Sequence, residues 1–468
     1  MRKFLFLGLF ATLIAFAGTS RKVVDEAATA ATPQAPSAPK YIFLFIGDGM
    51  STPQRMIADE FARKTGHEQL SINTMPYCAT TRSCSANSLV TDSAAAATAI
   101  ACGVKTNNGR IGMAPDGTTR LESCAEVAHK MGYKVGIVTS VTINHATPAG
   151  FYAHRANRGQ LYQIGLDLVA SNFEYFGGGG MANAFDKKDD PEYQGNIYEL
   201  AEKAGYRVSH DKAGFESIPA GTPKVLAVIG ESSLPFSIDG QEKAPTLADF
   251  TRKGIELLDN PKGFFMMVEG GAIDSAGHSN DAAANLHEVL AFDDAVRVAL
   301  AFQADHPADT LILTTGDHET GGMTMGFAGT GYALYMERLA NQKCSISKFS
   351  SILKHAQKDK PDFSFEDAKP LLTEYFGFLF EGDVKENPMV VTEKELQGLK
   401  EGFDDNTLPA AARVLISHKS GIAWTTGSHT ALPVLTTSAG PCAELFTGFI
   451  ENTDISNTLK MLYQNTAK

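Results

Sequence analysis

A chain of 468 residues, 43% hydrophobic and 20% charged, is too long for a small binding module and too apolar for wholesale disorder. It has the size to enclose a buried site in one large core or two domains. A formal net charge of −12 argues against nucleic acid and anionic membrane as partners.

Arg2 and Lys3 lead into an apolar run from Phe4 to Phe16 that closes on Ala15-Phe16-Ala17-Gly18, the form of a secretory signal peptide over residues 1–17. The run is shorter than the roughly 20 residues a membrane span needs, and no second such run follows. A soluble, exported protein, periplasmic or secreted, is expected, and losing Arg2 and Lys3 makes it more acidic still. Residues 18–40, rich in Ala, Thr and Pro, read as a disordered spacer. All six cysteines lie beyond the signal, where an oxidising compartment permits disulfides, although spacing does not reveal their pairing. Cys102, at the end of an Ala-rich helix, reads as a buried free thiol.

Strand-length apolar runs then alternate with helical patterns: Tyr41 to Ile46, Val135 to Val141, Val225 to Ile229, Phe264 to Val268 and Leu311 to Leu313, with amphipathic stretches such as Leu121 to Met131 and Ala282 to Phe302 between them. The alternation predicts an α/β fold with a doubly wound, mostly parallel sheet and helices on both faces. Ligands in such sheets sit beyond the carboxyl ends of the strands. From about residue 323 to 425 the periodicity weakens, which reads as a lobe inserted into a main domain of residues 41–468. A strand at Leu432 to Thr436 and a helix around Leu459 to Tyr463 complete that domain.

The polar residues at the strand ends carry the chemistry. The first strand runs into Gly47-Asp48-Gly49-Met50, a carboxylate between two glycines that let other groups come close. Thr91-Asp92-Ser93 opens a run of four alanines, so Ser93 falls on the first turn of a helix, where backbone N–H groups and the helix dipole favour a phosphate-like anion. Asn144-His145-Ala146-Thr147-Pro148 follows the second of these strands, and Arg158 comes eleven residues after Thr147 with a guanidinium suited to gripping phosphate. Glu269-Gly270-Gly271-Ala272-Ile273-Asp274 follows the Phe264 strand, with His278 four residues on, so Asp274 and His278 share one helix face and can hold one ion. Thr314-Thr315-Gly316-Asp317-His318-Glu319 ends another strand, and Thr426-Gly427-Ser428-His429 precedes the last.

Each motif alone has a bland explanation, such as a turn, a helix cap, a buried ion pair or a surface arginine. Jointly those explanations require four strand ends to carry Asp, Glu or His by accident. Three imidazoles with carboxylates suit zinc, and an all-oxygen set suits magnesium.

In this order the motifs resemble those of the alkaline phosphatases: Gly-Asp-Gly-Met, Thr-Asp-Ser-Ala, His-Ala-Thr-Pro-Ala-Gly, Val-Glu-Gly-Gly-Ala-Ile-Asp and Thr-Gly-Asp-His-Glu. The resemblance runs from about Tyr41 to the C-terminus, the lobe excepted. It implies hydrolysis of small phosphate monoesters through a phosphoserine on Ser93, with two zinc ions and one magnesium per chain and a homodimeric assembly. By position it implies that Asp274, His278 and His429 hold one zinc, Asp48, Asp317 and His318 the other, and Asp48, Thr147 and Glu269 the magnesium. Arg158 would grip phosphate and Asp92 orient it. His145 stands near the magnesium where the best-known bacterial enzymes carry aspartate, and Ser275 stands where they carry lysine. Phosphodiesterases and sulfate esterases of the same superfamily are the nearest alternatives, and a non-catalytic binding protein the more distant one. Diesterases usually place threonine at the nucleophile. The sulfatase motif needs a Pro and an Arg that Ser93-Ala94-Ala95-Ala96-Ala97 lacks. A binding protein predicts a missing ligand or nucleophile, and none is missing.

Overall fold

The computed structural model describes residues 38–185, 191–240, 242 and 244–466. The signal peptide and nearly all of the spacer lie outside this range. The N–H of Ala38, the first described residue, donates to the carbonyl of Leu462 and to Thr466 Oγ1 in the last helix.

Ten strands form one sheet: β1 (Tyr41–Gly47), β2 (Tyr77–Arg82), β3 (Lys134–Thr142), β4 (Tyr175–Gly179), β5 (Arg207–Ser209), β6 (Val225–Ile229), β7 (Phe264–Gly270), β8 (Thr310–Gly316), β9 (Val434–Ala439) and β10 (Gly448–Glu451). Their order is β10-β2-β9-β8-β1-β7-β3-β4-β6-β5. Every pairing is parallel except those of β9, which runs antiparallel to both its neighbours.

The near-continuous apolar runs follow from burial on both faces. Side chains alternate across a strand, so Tyr41, Phe43 and Phe45 of β1 enter one hydrophobic cluster and Ile42, Leu44 and Ile46 the other. Phe264, Met266 and Val268 of β7 divide from Phe265 and Met267 in the same way. The helices Thr52–Lys64, Leu247–Leu258 and Ala282–Asp305 cover the first face, and Ser93–Cys102, Leu161–Ser171 and Asn452–Thr466 the second. The doubly wound architecture is therefore as the sequence predicts. Cys78, Cys84, Cys102, Cys124 and Cys344 are free thiols, and Cys102 is buried. Among the described residues, no helix is long and apolar enough to cross a membrane.

The stretch of weak periodicity is bounded by an antiparallel pair, Thr324–Met325 against Ile422–Ala423. Between them lie four helices, Ile346–Asp359, Phe365–Phe376, Glu393–Asp404 and Leu408–Ser420. Two of them bury only two residues each. Phe349, Phe376 and Leu408 belong to the same cluster as Phe43.

Candidate active site

Strand register gathers the carboxylates. Gly47 is paired with Gly270 on one side and Gly316 on the other, so Asp48 and Asp317 leave the sheet side by side, and Glu269 lies opposite Ile46 and Thr139. Gly49 turns the chain with φ 71°, a conformation costly for any residue with a Cβ. Its N–H and that of His318 donate to Asp317 Oδ1, at 3.1 and 2.9 Å. Thr139 donates to Glu269 Oε2, and Thr147 Oγ1 to Asp48 Oδ2 at 3.3 Å. Asp48, Glu269 and Asp317 are wholly buried, yet Asp48 Oδ1, Glu269 Oε1 and Asp317 Oδ2 accept no hydrogen bond. Burial and then the repulsion of a neighbouring carboxylate, Asp317 for Asp48 and Asp274 for Asp317, hold both carboxyls well above the usual range. Burial pushes Glu269 up to about 7. Buried carboxylates with idle oxygens suit a cation, whose charge would reverse this local logic.

A second convergence forms around Asp274, on the helix Ala272–His278. His278 Nε2 is 3.3 Å from Asp274 Oδ2, and His429 Nε2 is 3.6 Å from Asp274 Oδ1. The other ring nitrogens face carbonyls, His278 Nδ1 that of Gly427 and His429 Nδ1 that of Thr91, each at 2.8 Å. A carbonyl only accepts, so each Nδ1 carries a hydrogen, and the two Nε2 atoms meet across 3.2 Å beside Asp274, whose hydrogen bond pushes His278 up to about 9. Two imidazole nitrogens converging on one carboxylate suit a cation, and metal-bound histidines commonly donate their second N–H in this manner. Despite its burial, Asp274 is held well below the usual carboxylate range by the hydrogen bond from His278 and by the neighbouring imidazoles.

Three sets thus bring their ligand atoms within 4.8 Å of one another: Asp274, His278 and His429; Asp48, Asp317 and His318; Asp48, His145 and Glu269. Two contain imidazoles and carboxylates in the proportions zinc takes. The third, with Thr147 beside Asp48, offers the oxygen-rich surroundings magnesium takes.

Asp92 caps the helix Ser93–Cys102 through Oδ1, which accepts from Ala95 N–H at 3.0 Å. Gly103 closes that helix in the left-handed conformation, φ 74°. Ser93, the first helical residue, is buried with Oγ 3.2 Å from His318 Nε2. Asp92 Oδ2 accepts from Gly109 N–H at 2.9 Å and from Arg158 Nη1 at 3.2 Å. Arg158 Nη2 lies 3.2 Å from His145 Nε2. A guanidinium only donates, so Nε2 accepts and the hydrogen of His145 sits on Nδ1, which has no partner. Burial and the charge of Arg158 push His145 down to about 4, so the ring is neutral.

All twelve residues singled out in the sequence therefore gather beyond the carboxyl ends of β1, β3, β7 and β8, with His429 brought in by pairing with Thr320. Ser275 is exposed. Sequence reasoning missed Thr139, Gly109 and Thr320. Only the position of Thr139 inside a strand that ends at the site hinted at one of them.

The family model for alkaline phosphatase matches residues 39–465. "Alkaline phosphatase 3" of Bacillus subtilis is 31% identical over 451 residues, covering 91% of this chain and 89% of its own. The cold-active alkaline phosphatase of a psychrophilic Shewanella superposes with a TM-score of 0.78 at 30% identity, over 90% of this chain and 99% of its own. A histidine-to-aspartate variant of the alkaline phosphatase from the Antarctic bacterium TAB5, with Mg bound in its M3 site, does so at 0.66 and 26%, over 92% and 99%. With motifs, fold and site in agreement along its length, the chain belongs to the alkaline phosphatase family.

Proposed function

We propose that the phosphate monoester hydrolysis of this family runs here through a phosphoserine on Ser93, in a site of two zinc ions and one magnesium. The observation that carries this reading is the meeting of Ser93 Oγ, His318 Nε2 and the Asp92–Arg158 pair at one helix N-terminus. Asp274, His278 and His429 would hold one zinc, Asp48, Asp317 and His318 the other, and Asp48, Thr147 and Glu269 the magnesium with His145 beside it. Such ions, when bound, stabilise charge on phosphate oxygens and lower the pKa of oxygen ligands.

The chain's own residues do the rest. The helix N-terminus and Arg158 draw in the phosphate, and Asp92 keeps the guanidinium turned toward it. Ser93 Oγ bonds to phosphorus as the alcohol leaves, then water displaces the serine and releases inorganic phosphate. Because the whole protein is acidic, the attraction is local. Export and homodimer formation are proposed with it, on the N-terminal sequence and the family resemblance.

A rapid quench with labelled monoester tests the reading. Phosphoenzyme should accumulate in the wild type and vanish in Ser93→Ala, with turnover slower by orders of magnitude and the fold intact. Wild-type phosphoenzyme in Ser93→Ala would place the nucleophile elsewhere. Metal analysis should find about two zinc per chain, and full activity in a zinc-free preparation would defeat the two-zinc reading. Monoesters, diesters and sulfate esters assayed side by side, with and without zinc, should rank monoesters first.

A further inference from the structure

Thr320, two residues beyond His318, is wholly buried on the short strand Glu319–Thr320. It belongs to neither histidine set, yet it touches both. Its Oγ1 lies 2.5 Å from Asp274 Oδ1 and 3.3 Å from His318 Nδ1. Its backbone pairs with His429, its N–H donates to the carbonyl of Gly49 at 3.3 Å, and its carbonyl accepts from Gln54 Nε2 at 3.1 Å. The hydroxyl is therefore held from three sides.

A hydroxyl has one hydrogen to give, and the carboxylate of Asp274 can only accept. That hydrogen goes to Asp274, so His318 Nδ1 must be the donor into the threonine lone pair. His318 is thereby fixed as the Nδ1–H tautomer. Its Nε2 lone pair then faces Ser93 Oγ, Asp48 Oδ1 and Asp317 Oδ2, at 3.2, 3.2 and 3.4 Å. His278 and His429 obtain the same orientation from the carbonyls of Gly427 and Thr91. For His318 the partner is the hydroxyl of Thr320.

We propose that Thr320 is a positioning residue whose hydroxyl joins the Asp274–His278–His429 set to the Asp48–Asp317–His318 set, so that zinc in either raises the affinity of the other. The chain Nδ1–H···Oγ–H···Oδ1 gives the two sets a shared orientation. An ion that fixes Asp274 fixes the hydroxyl, and the hydroxyl fixes His318. By thermodynamic linkage the coupling acts equally in both directions. The inference rests on the two-zinc reading above.

Metal-free enzyme titrated with zinc against a chromophoric chelator tests it without recourse to activity. The wild type should bind two ions cooperatively. Thr320→Val keeps the shape and loses the hydroxyl. It should bind zinc about 10- to 100-fold more weakly, with the cooperativity gone, and Thr320→Ser should restore both. In the zinc-loaded variant kcat should fall more than KM rises, because His318 loses its aim at Ser93. If Thr320→Val proves unstable, NMR of the histidine-labelled wild type decides, since the hydrogen of His318 must sit on Nδ1 and a hydrogen on Nε2 overturns the assignment. Cooperative binding of two zinc ions by Thr320→Val at wild-type affinity would overturn the inference alone. A wild type that binds no zinc would overturn the two-zinc reading and this inference with it.

Discussion

The carboxylate of Asp92 reaches the guanidinium of Arg158 across 3.2 Å while its other oxygen caps the helix that begins with Ser93. One side chain thus sets both the serine and the arginine. Asp92→Asn can keep the capping oxygen but turns an amide N–H₂ toward two donors, Gly109 N–H and Arg158. KM and the inhibition constant of inorganic phosphate should both rise about 10-fold, the worth of a hydrogen bond to a charged group, with little change in melting temperature. Unchanged phosphate inhibition would mean that Arg158 keeps its place unaided.

His145 is a neutral acceptor for Arg158 on one nitrogen and partnerless on the other, next to Asp48 and Glu269. A carboxylate there adds negative charge and holds magnesium-bound water better. His145→Asp should bind magnesium about 10- to 100-fold more tightly in titrations of metal-free enzyme. Equal or weaker binding would show that this position does not face the magnesium.

At Gly49 an added Cβ would stand 2.8 Å from Thr320 Oγ1 and 2.9 Å from Asp274 Cα, at φ 71°. Gly49→Ala should cost roughly 1–3 kcal/mol in chemical unfolding, the cost of a strained backbone, and lose zinc affinity as Asp274 shifts. A variant with wild-type stability and metal content would show that the turn can relax.

The chain leading to Arg158 is anchored by His154, whose Nε2 meets Glu126 Oε1 at 2.9 Å. Burial opposes the charge on each, yet the bond lifts His154 above its ordinary 6.5, and the same bond with the Ser123 N–H lowers Glu126 below 4.5. The histidine contribution is complete below about 6.5 and disappears as pH rises through its folded pKa. The glutamate contribution is complete above about 4.5 and disappears as pH falls through its own. Glu126→Gln should therefore lose roughly 1 kcal/mol at pH 5.5 and distinctly less at pH 9. A pH-independent loss would make the pair a neutral hydrogen bond.

Much of this site was legible because its residues follow strands whose apolar runs are unmistakable. Asp48, Glu269 and Asp317 sit where parallel strands end, and Asp274 with His278 shows the helical spacing of a shared face. β4 was not legible, because Tyr175–Gly179 ends in three glycines and resembles a turn. Glycine is required there, since a Cβ on Gly178 would lie 2.3 Å from the carbonyl of Thr139. β2 escaped notice because half of its residues are exposed. Gly109 acts through Asp92 and Thr320 joins His318 to the distant Asp274, so nothing local distinguishes them from ordinary loop residues. Of the four α-helices between Thr324 and Ala423, Ile346–Asp359 and Glu393–Asp404 bury only two residues each.

β9 enters the sheet between β8 and β2, and His429 stands just ahead of it. The pocket opened by Asp48 near the start of the fold is closed by a histidine far along the chain, and Ala38 is tied to the final helix. A growing chain therefore carries most of the chemistry long before it can use any of it. Contacts so distant in sequence form slowly, and an unfinished chain offers an open strand edge at β8 and a carboxylate cluster without His429. A chain cut before His429 is therefore expected to be silent rather than partly active.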